Sequence, residues 1–115
     1  MSSKKPKSVE TKADHTATQM RKGILGYCVL QILSRGPAYS SDILLTLQEA
    51  DLVVSGGTIY PLLTRLKEDG LVAHKWRESK QGPPRKYFTV TPKGIDALEM
   101  LKTDIDSMYR SVKKV

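Results

Sequence analysis

At 115 residues the chain has the size of one small domain, and with 39% hydrophobic residues it can build a modest core but not a deep one. The net charge of +7 and a pI near 9.6 favour an anionic partner: nucleic acid, an acidic protein or a membrane surface. No apolar run approaches the roughly 20 residues of a membrane span, and no apolar stretch follows the N-terminal lysines as a secretory signal requires. The single cysteine, Cys28, rules out an internal disulfide, so a reducing cytoplasm is the expected location.

Residues 1–17 are Ser, Thr, Lys and Ala with almost nothing to bury, and are expected to form a disordered basic tail, either merely solvated or acting as an arm on DNA. The first helix is expected from near Thr18, with Met20, Ile24, Leu25, Cys28, Ile32 and Leu33 at helical spacing on one side. It stops at "SRGP", where Gly36 can take a left-handed cap and Pro37 forbids continuation. A shorter second helix follows, capped by Ser40 or Ser41, with Asp42 complementing its dipole and Ile43, Leu44 and Leu47 as its buried face.

The stretch "GGTIYPLLTRLKEDGLV" gives a third helix with an awkward start. Ile59, Leu62, Leu63 and Leu66 form one core-facing stripe. The opposite side shows Gly57, Thr58, Tyr60, Pro61 and Thr64, with Lys67 further along, and is short of long charged side chains. With a cap at Ser55, Gly57 or Thr58, Pro61 falls in or just past the first turn, where it costs far less than the ~3 kcal/mol of an interior proline. Such a compact end, with free N–H groups and a positive dipole terminus, suits a phosphate or the floor of the major groove. Tyr60 and Thr64 offer hydroxyls for phosphates, and the Thr64 methyl suits a thymine methyl. The competing reading is a tight loop at Gly56 and Gly57, with Tyr60 packed on a neighbouring helix.

A strand over about 72–78, a polar loop "SKQGPP" and a return strand over about 85–90 make a basic hairpin carrying Arg77, Lys80, Arg85 and Lys86. A hairpin of this kind suits a wing that grips the DNA backbone beside the groove. With Glu78 opposite Arg85, Trp76 would face Tyr87 and stiffen it. The last helix starts at "TPKG", with Thr91 as cap and Pro92 in the first position. Its apolar residues Ile95, Leu98, Leu101, Ile105, Met108, Val112 and Val115 run in an a/d seam of more than two heptads; the first helix could cover part of it, but such a seam on a long terminal helix points to pairing with a second copy. Two-fold symmetry in the protein then calls for a two-fold DNA site, its halves about one turn (~34 Å) apart or a multiple of it.

Taken together, "RKGILGYCVLQILSRGPAYSSDIL", "GGTIYPLLTRLKEDGLV" and "GPPRKYFTVTPKG" resemble the first two helices, the recognition helix and the wing of the PadR family of bacterial transcriptional regulators, over roughly residues 19–100. The resemblance implies a mainly α fold with a β-hairpin wing: a winged helix-turn-helix over 18–91 and a C-terminal dimerisation helix over 92–115. It implies a homodimer on an inverted-repeat operator, usually repressing, and the family's small subgroup with one short C-terminal helix. It carries to Tyr60, Pro61 and Thr64 on the helix and to Pro83, Pro84, Arg85 and Lys86 in the wing.

The family often has Gly then an aromatic where Ser40 and Ser41 stand. Some drug-responsive relatives carry a ligand-sensing aromatic on the last helix, where Tyr109 is the only aromatic here. A small-molecule effector is therefore left unassigned. The candidate DNA contacts are Ser40, Ser41, Gly57, Thr58, Tyr60, Pro61, Thr64, Lys67, Lys80, Arg85 and Lys86. The candidate dimer contacts are Ile95, Leu98, Leu101, Ile105, Met108 and Val112. No nucleophile with a plausible base, no metal-ligand spacing and no phosphate loop is present, so neither an enzyme nor a cofactor is expected. The alternative function is a winged-helix module for protein contact or sequence-neutral nucleic-acid binding.

Overall fold

The computed structural model describes residues 12–52 and 55–115. The elements in order are α1 (Lys12–Ser34), β1 (Ala38–Tyr39), α2 (Ser40–Glu49), α3 (Gly56–Glu68), β2 (Val72–Ser79), β3 (Gly82–Val90) and α4 (Pro92–Val112). Positions 12–17, expected in the tail, already belong to α1; the rest of that tail lies outside the described residues.

Helix α1 ends as its sequence dictates. Gly36 takes a positive φ of 150° and its N–H closes onto the Leu33 carbonyl. Its buried face is rotated from the expected one. Leu25 and Leu33 are buried as expected, but so are Val29 and Leu30, while Met20 is 70% exposed. The reason is tertiary: α1 packs against α2, β3 and α4 at once, so its buried arc is wide and centred one residue further along. Cys28, half-buried on the flank of this arc, has its thiol pKa pushed up by burial.

The start of α2 also differs. Its cap is Tyr39, not Ser40 or Ser41, and the Asp42 carboxylate accepts from the Tyr39 N–H at 3.1 Å. In α3 the expected stripe holds in full: Ile59, Leu62, Leu63 and Leu66 all face the core. They meet Leu25, Val29, Leu30 and Leu33 of α1, Ile43 and Leu47 of α2, Val72, Phe88, and Leu98 of α4.

The sheet is antiparallel in the order β1-β3-β2. The hairpin is tighter than expected, with Ser79 opposite Gly82 and only Lys80 and Gln81 between the strands. A bulge between Arg77 and Ser79 sets Glu78 against the Pro83–Pro84 segment, where a ladder N–H is missing anyway. The register therefore places Arg77 opposite Arg85 and Trp76 opposite Lys86. The expected Trp76–Tyr87 pair does not form; the Lys86 ammonium lies 5.5 Å from the Trp76 ring instead.

The start of α4 is clamped onto the end of α3. The Thr91 side chain caps α4 by accepting from the Gly94 N–H at 3.0 Å, and donates to the Gly70 carbonyl at 2.6 Å. The Thr91 N–H donates to the Leu71 carbonyl, and Lys93 Nζ to the Asp69 carbonyl. Gly94 is required here: a Cβ on it would lie 2.1 Å from the Leu71 carbonyl oxygen. Leu98, read as part of the dimer seam, is buried in the protomer's own core at 4% exposure and is not available to a partner. Leu101 and Ile105 are half-buried, while Ile95, Met108 and Val112 are exposed.

Candidate nucleic-acid interface

The α3 cap is Ser55, whose carbonyl accepts from the Thr58 N–H at 3.0 Å. Pro61 is thus the sixth helical residue, just past the first turn, and the Gly57 carbonyl loses its usual i+4 donor. Nothing among the described residues demands the two glycines before it. Neither has a positive φ, and an added Cβ at either would meet nothing nearer than 3.5 Å. Each costs about 1 kcal/mol against alanine in a helix. What they leave is a bare, low surface, with Tyr60 standing 60% exposed beside it.

Around the helix axis, at about 100° per residue, the exposed crest carries Gly57, Pro61, Thr64 and Glu68. Tyr60 and Lys67 lie on the flank facing the hairpin, and Thr58 and Arg65 on the flank facing α1. Glu68 repels phosphates, so the N-terminal half of the crest is the end suited to polyanion contact. The Thr64 hydroxyl donates to the Tyr60 carbonyl at 3.0 Å. Its proton is used inside the helix, so outward it offers lone pairs and a methyl group rather than a donor to phosphate.

Between α3 and the hairpin runs a cleft of about 520 Å³, lined among others by Tyr60, Thr64, Lys67, His74 and Lys86. Ser40 and Arg85 close one end. Leu63 and Phe88 make its floor. The Nδ1 of His74 is buried with no hydrogen-bond partner among the described residues. Burial pushes the His74 pKa down, and the positive charges of Lys67 and Lys86 push it the same way. The cleft floor is therefore neutral, and its rim, where Lys67, Arg85 and Lys86 stand against the single carboxylate of Glu68, is net cationic.

The outer edge is braced. Arg85 donates from Nη2 to Ser41 Oγ at 2.7 Å and its guanidinium lies 3.8 Å from the Tyr39 ring centroid. Tyr39 packs on Tyr87 at 5.0 Å, and Arg77 lies 4.5 Å over Tyr87. This Arg–Tyr–Tyr–Arg stack ties the hairpin to the start of α2. Arg85, expected as a phosphate contact, also holds the hairpin in place, and Ser41 accepts from it rather than capping the helix. Lys80 stands at the hairpin turn, away from this stack.

Among the expected contacts, Ser40, Tyr60, Thr64, Lys67, Arg85 and Lys86 therefore share the hairpin cleft. Gly57, Thr58 and Pro61 line a second, shallower groove of about 420 Å³ between α3 and α1, together with Lys22 and Arg65. Sequence reasoning missed Tyr39, His74, Lys22 and Arg65. Alternation along the hairpin marks His74 as sharing a face with Phe88, but no local pattern brings Lys22 to the third helix.

A three-helix core with a β-hairpin beside an exposed third helix defines a winged helix-turn-helix protein. The chain belongs to the PadR-like family of transcriptional regulators, whose model matches residues 29–100. Among solved structures it is similar to a PadR-like transcription factor from Bacteroides fragilis, at 48% identity and a TM-score of 0.74, covering 88% of this chain and 98% of that one. A PadR family regulator from Eggerthella lenta is 29% identical with a TM-score of 0.81, covering 89% of each chain. A PadR-like regulator from Bacillus cereus is 34% identical with a TM-score of 0.72, covering 84% of this chain and 94% of that one. A comparison with curated proteins returned no match. No helix among the described residues is long and apolar enough to cross a membrane.

Proposed function

We propose that this regulator is a cytoplasmic, sequence-specific repressor that binds an inverted-repeat operator as a homodimer. The observation that carries the reading is the crest of α3. Gly56 and Gly57 are demanded by neither backbone nor packing, and they keep low a surface that lies between cationic grooves. An α-helix with side chains is about as wide as the major groove, ~10–12 Å. In this reading Tyr60, Pro61 and Thr64 meet base edges while Lys67, Lys80 and Lys86 meet phosphates.

Residues 18–91 make up the DNA-binding unit in this reading, and 92–115 the dimerisation helix. The exposed Ile95, Met108 and Val112, with the half-buried Leu101 and Ile105, form the seam. Exposed Met20 and half-buried Ile24 of α1 extend the available apolar surface.

The test is titration of the DNA upstream of the chain's own gene against random duplex at two salt concentrations. Specific binding is expected to exceed non-specific binding by ~10³ or more and to persist at moderate salt. Equal binding to both removes the repressor reading. Gly57→Ala sharpens it: the free protein should gain about 0.5–1 kcal/mol of stability while operator affinity falls.

A further inference from the structure

We infer that the groove between α1 and α3 is a second phosphate-binding wall, with Lys22 and Arg65 holding the DNA strand opposite the one that the wing holds. The inference rests on the major-groove reading of α3 and adds residues to it. A helix seated in the major groove is flanked by sugar–phosphate backbone on both sides. The wing meets only one of them.

The crest of α3 is bordered almost symmetrically. At about 100° per residue, Tyr60 and Lys67 lie about 60–80° from Gly57 on the wing side, and Arg65 and Thr58 about 80–100° from it on the α1 side. The first flank carries the 520 Å³ cleft with Lys67 and Lys86 on its rim; the second carries the 420 Å³ groove with Lys22 and Arg65. Lys22 and Arg65 are both exposed. The floor of the second groove, Leu25 and Leu62, is part of the core, so the two cations stand on a fixed base. Lys22 comes from a different helix, so the pair spans the groove rather than one face of α3. Two cations facing each other across a groove, without a carboxylate among the described residues that line it, repel one another until an anion lies between them.

The experiment uses the full chain and its operator duplex. Ethylation interference on the parent should reveal two groups of critical phosphates per half-site, one on each strand. Lys22→Ala with Arg65→Ala should lose the group on one strand and keep the other, while Lys86→Ala should do the opposite. For the dimer, the double variant should reduce the magnitude of the salt slope by about 3–4, at about 0.9 per phosphate released. Arg65→Lys, which keeps the charge, should restore most of Arg65's share. Both residues are exposed, so thermal melts should match the parent.

A double variant that binds the operator with the parent's salt slope and interference pattern overturns the inference and leaves the repressor reading intact. A parent that does not prefer the operator to random DNA overturns both.

Discussion

Gly94→Ala is the most incisive perturbation of this fold. An alanine Cβ there would sit 2.1 Å from the Leu71 carbonyl oxygen and 2.7 Å from a Val90 methyl. Ordinary contact at the oxygen needs a little over 3 Å, so backbone must move by about 1 Å against close-packed surroundings. Overpacking of this kind costs typically 1–3 kcal/mol. The same movement opens the Thr91–Leu71 and Thr91–Gly70 hydrogen bonds, at about 1 kcal/mol each. Replacing glycine by alanine in a helix returns about 1 kcal/mol. The net loss is about 2–4 kcal/mol. With an unfolding entropy of about 2.1 cal/mol/K per residue, that lowers Tm by roughly 8–16 °C. Calorimetry or circular dichroism melts at fixed protein concentration check it. A variant that melts at or above the parent would show that α4 does not press on the end of α3, and the clamp would have to be abandoned.

Leu101→Asp with Ile105→Asp should give a monomeric or unfolded chain by sedimentation, because two unpaired carboxylates cannot be buried in the seam; a double variant still dimeric at low micromolar concentration places the seam elsewhere. Tyr60→Ala should weaken operator binding by ~1–3 kcal/mol with little change in melting, whereas Leu63→Ala should cost ~2–5 kcal/mol of stability through a cavity. Should Tyr60→Ala melt far below the parent with affinity intact, Tyr60 is a packing residue. His74 has a folded-state pKa below its unfolded value, near 6.5, so the unfolded chain binds more protons in that range. Its contribution to the stability of the DNA-free protein is present above pH ~6.5 and is lost as pH falls through the folded pKa. Melts from pH 7.5 to 5 should fall more steeply for the parent than for His74→Gln; parallel curves would remove His74 as the source.

The third helix was legible because its core stripe depends only on local periodicity, and its exposed face is what remains. The end of the first helix and the cap of the last were legible for the same reason, since Gly36–Pro37 and Thr91–Pro92 are local signals. The rotation of the first helix was not, because which of Val29, Leu30 or Met20 is buried depends on three packing partners. The wing register failed on the turn: pairing Ser79 with Gly82 closes the hairpin two residues short of the expected register, and the one-residue bulge at Pro83–Pro84 recovers only half of that shift. The candidate site was half legible. Its helix residues could be read from one segment, but Tyr39, His74 and Lys22 join it only through tertiary contact.

In the proposed reading, where the wing meets DNA, the stack of Arg85 on Tyr39, with Ser41 holding Nη2, has a consequence for the speed and strength of recognition. A free arginine side chain loses about 2 kcal/mol of rotamer freedom when it is fixed. Here much of that loss accompanies folding, so an incoming duplex meets a wing already oriented, and little further ordering is charged to the complex. The two guanidiniums of Arg77 and Arg85, opposed across the strands, are held apart on tyrosine rings rather than left to search. A wing prepared in this way should dock in a single step after encounter, with an association rate set by diffusion and charge rather than by rearrangement of the hairpin.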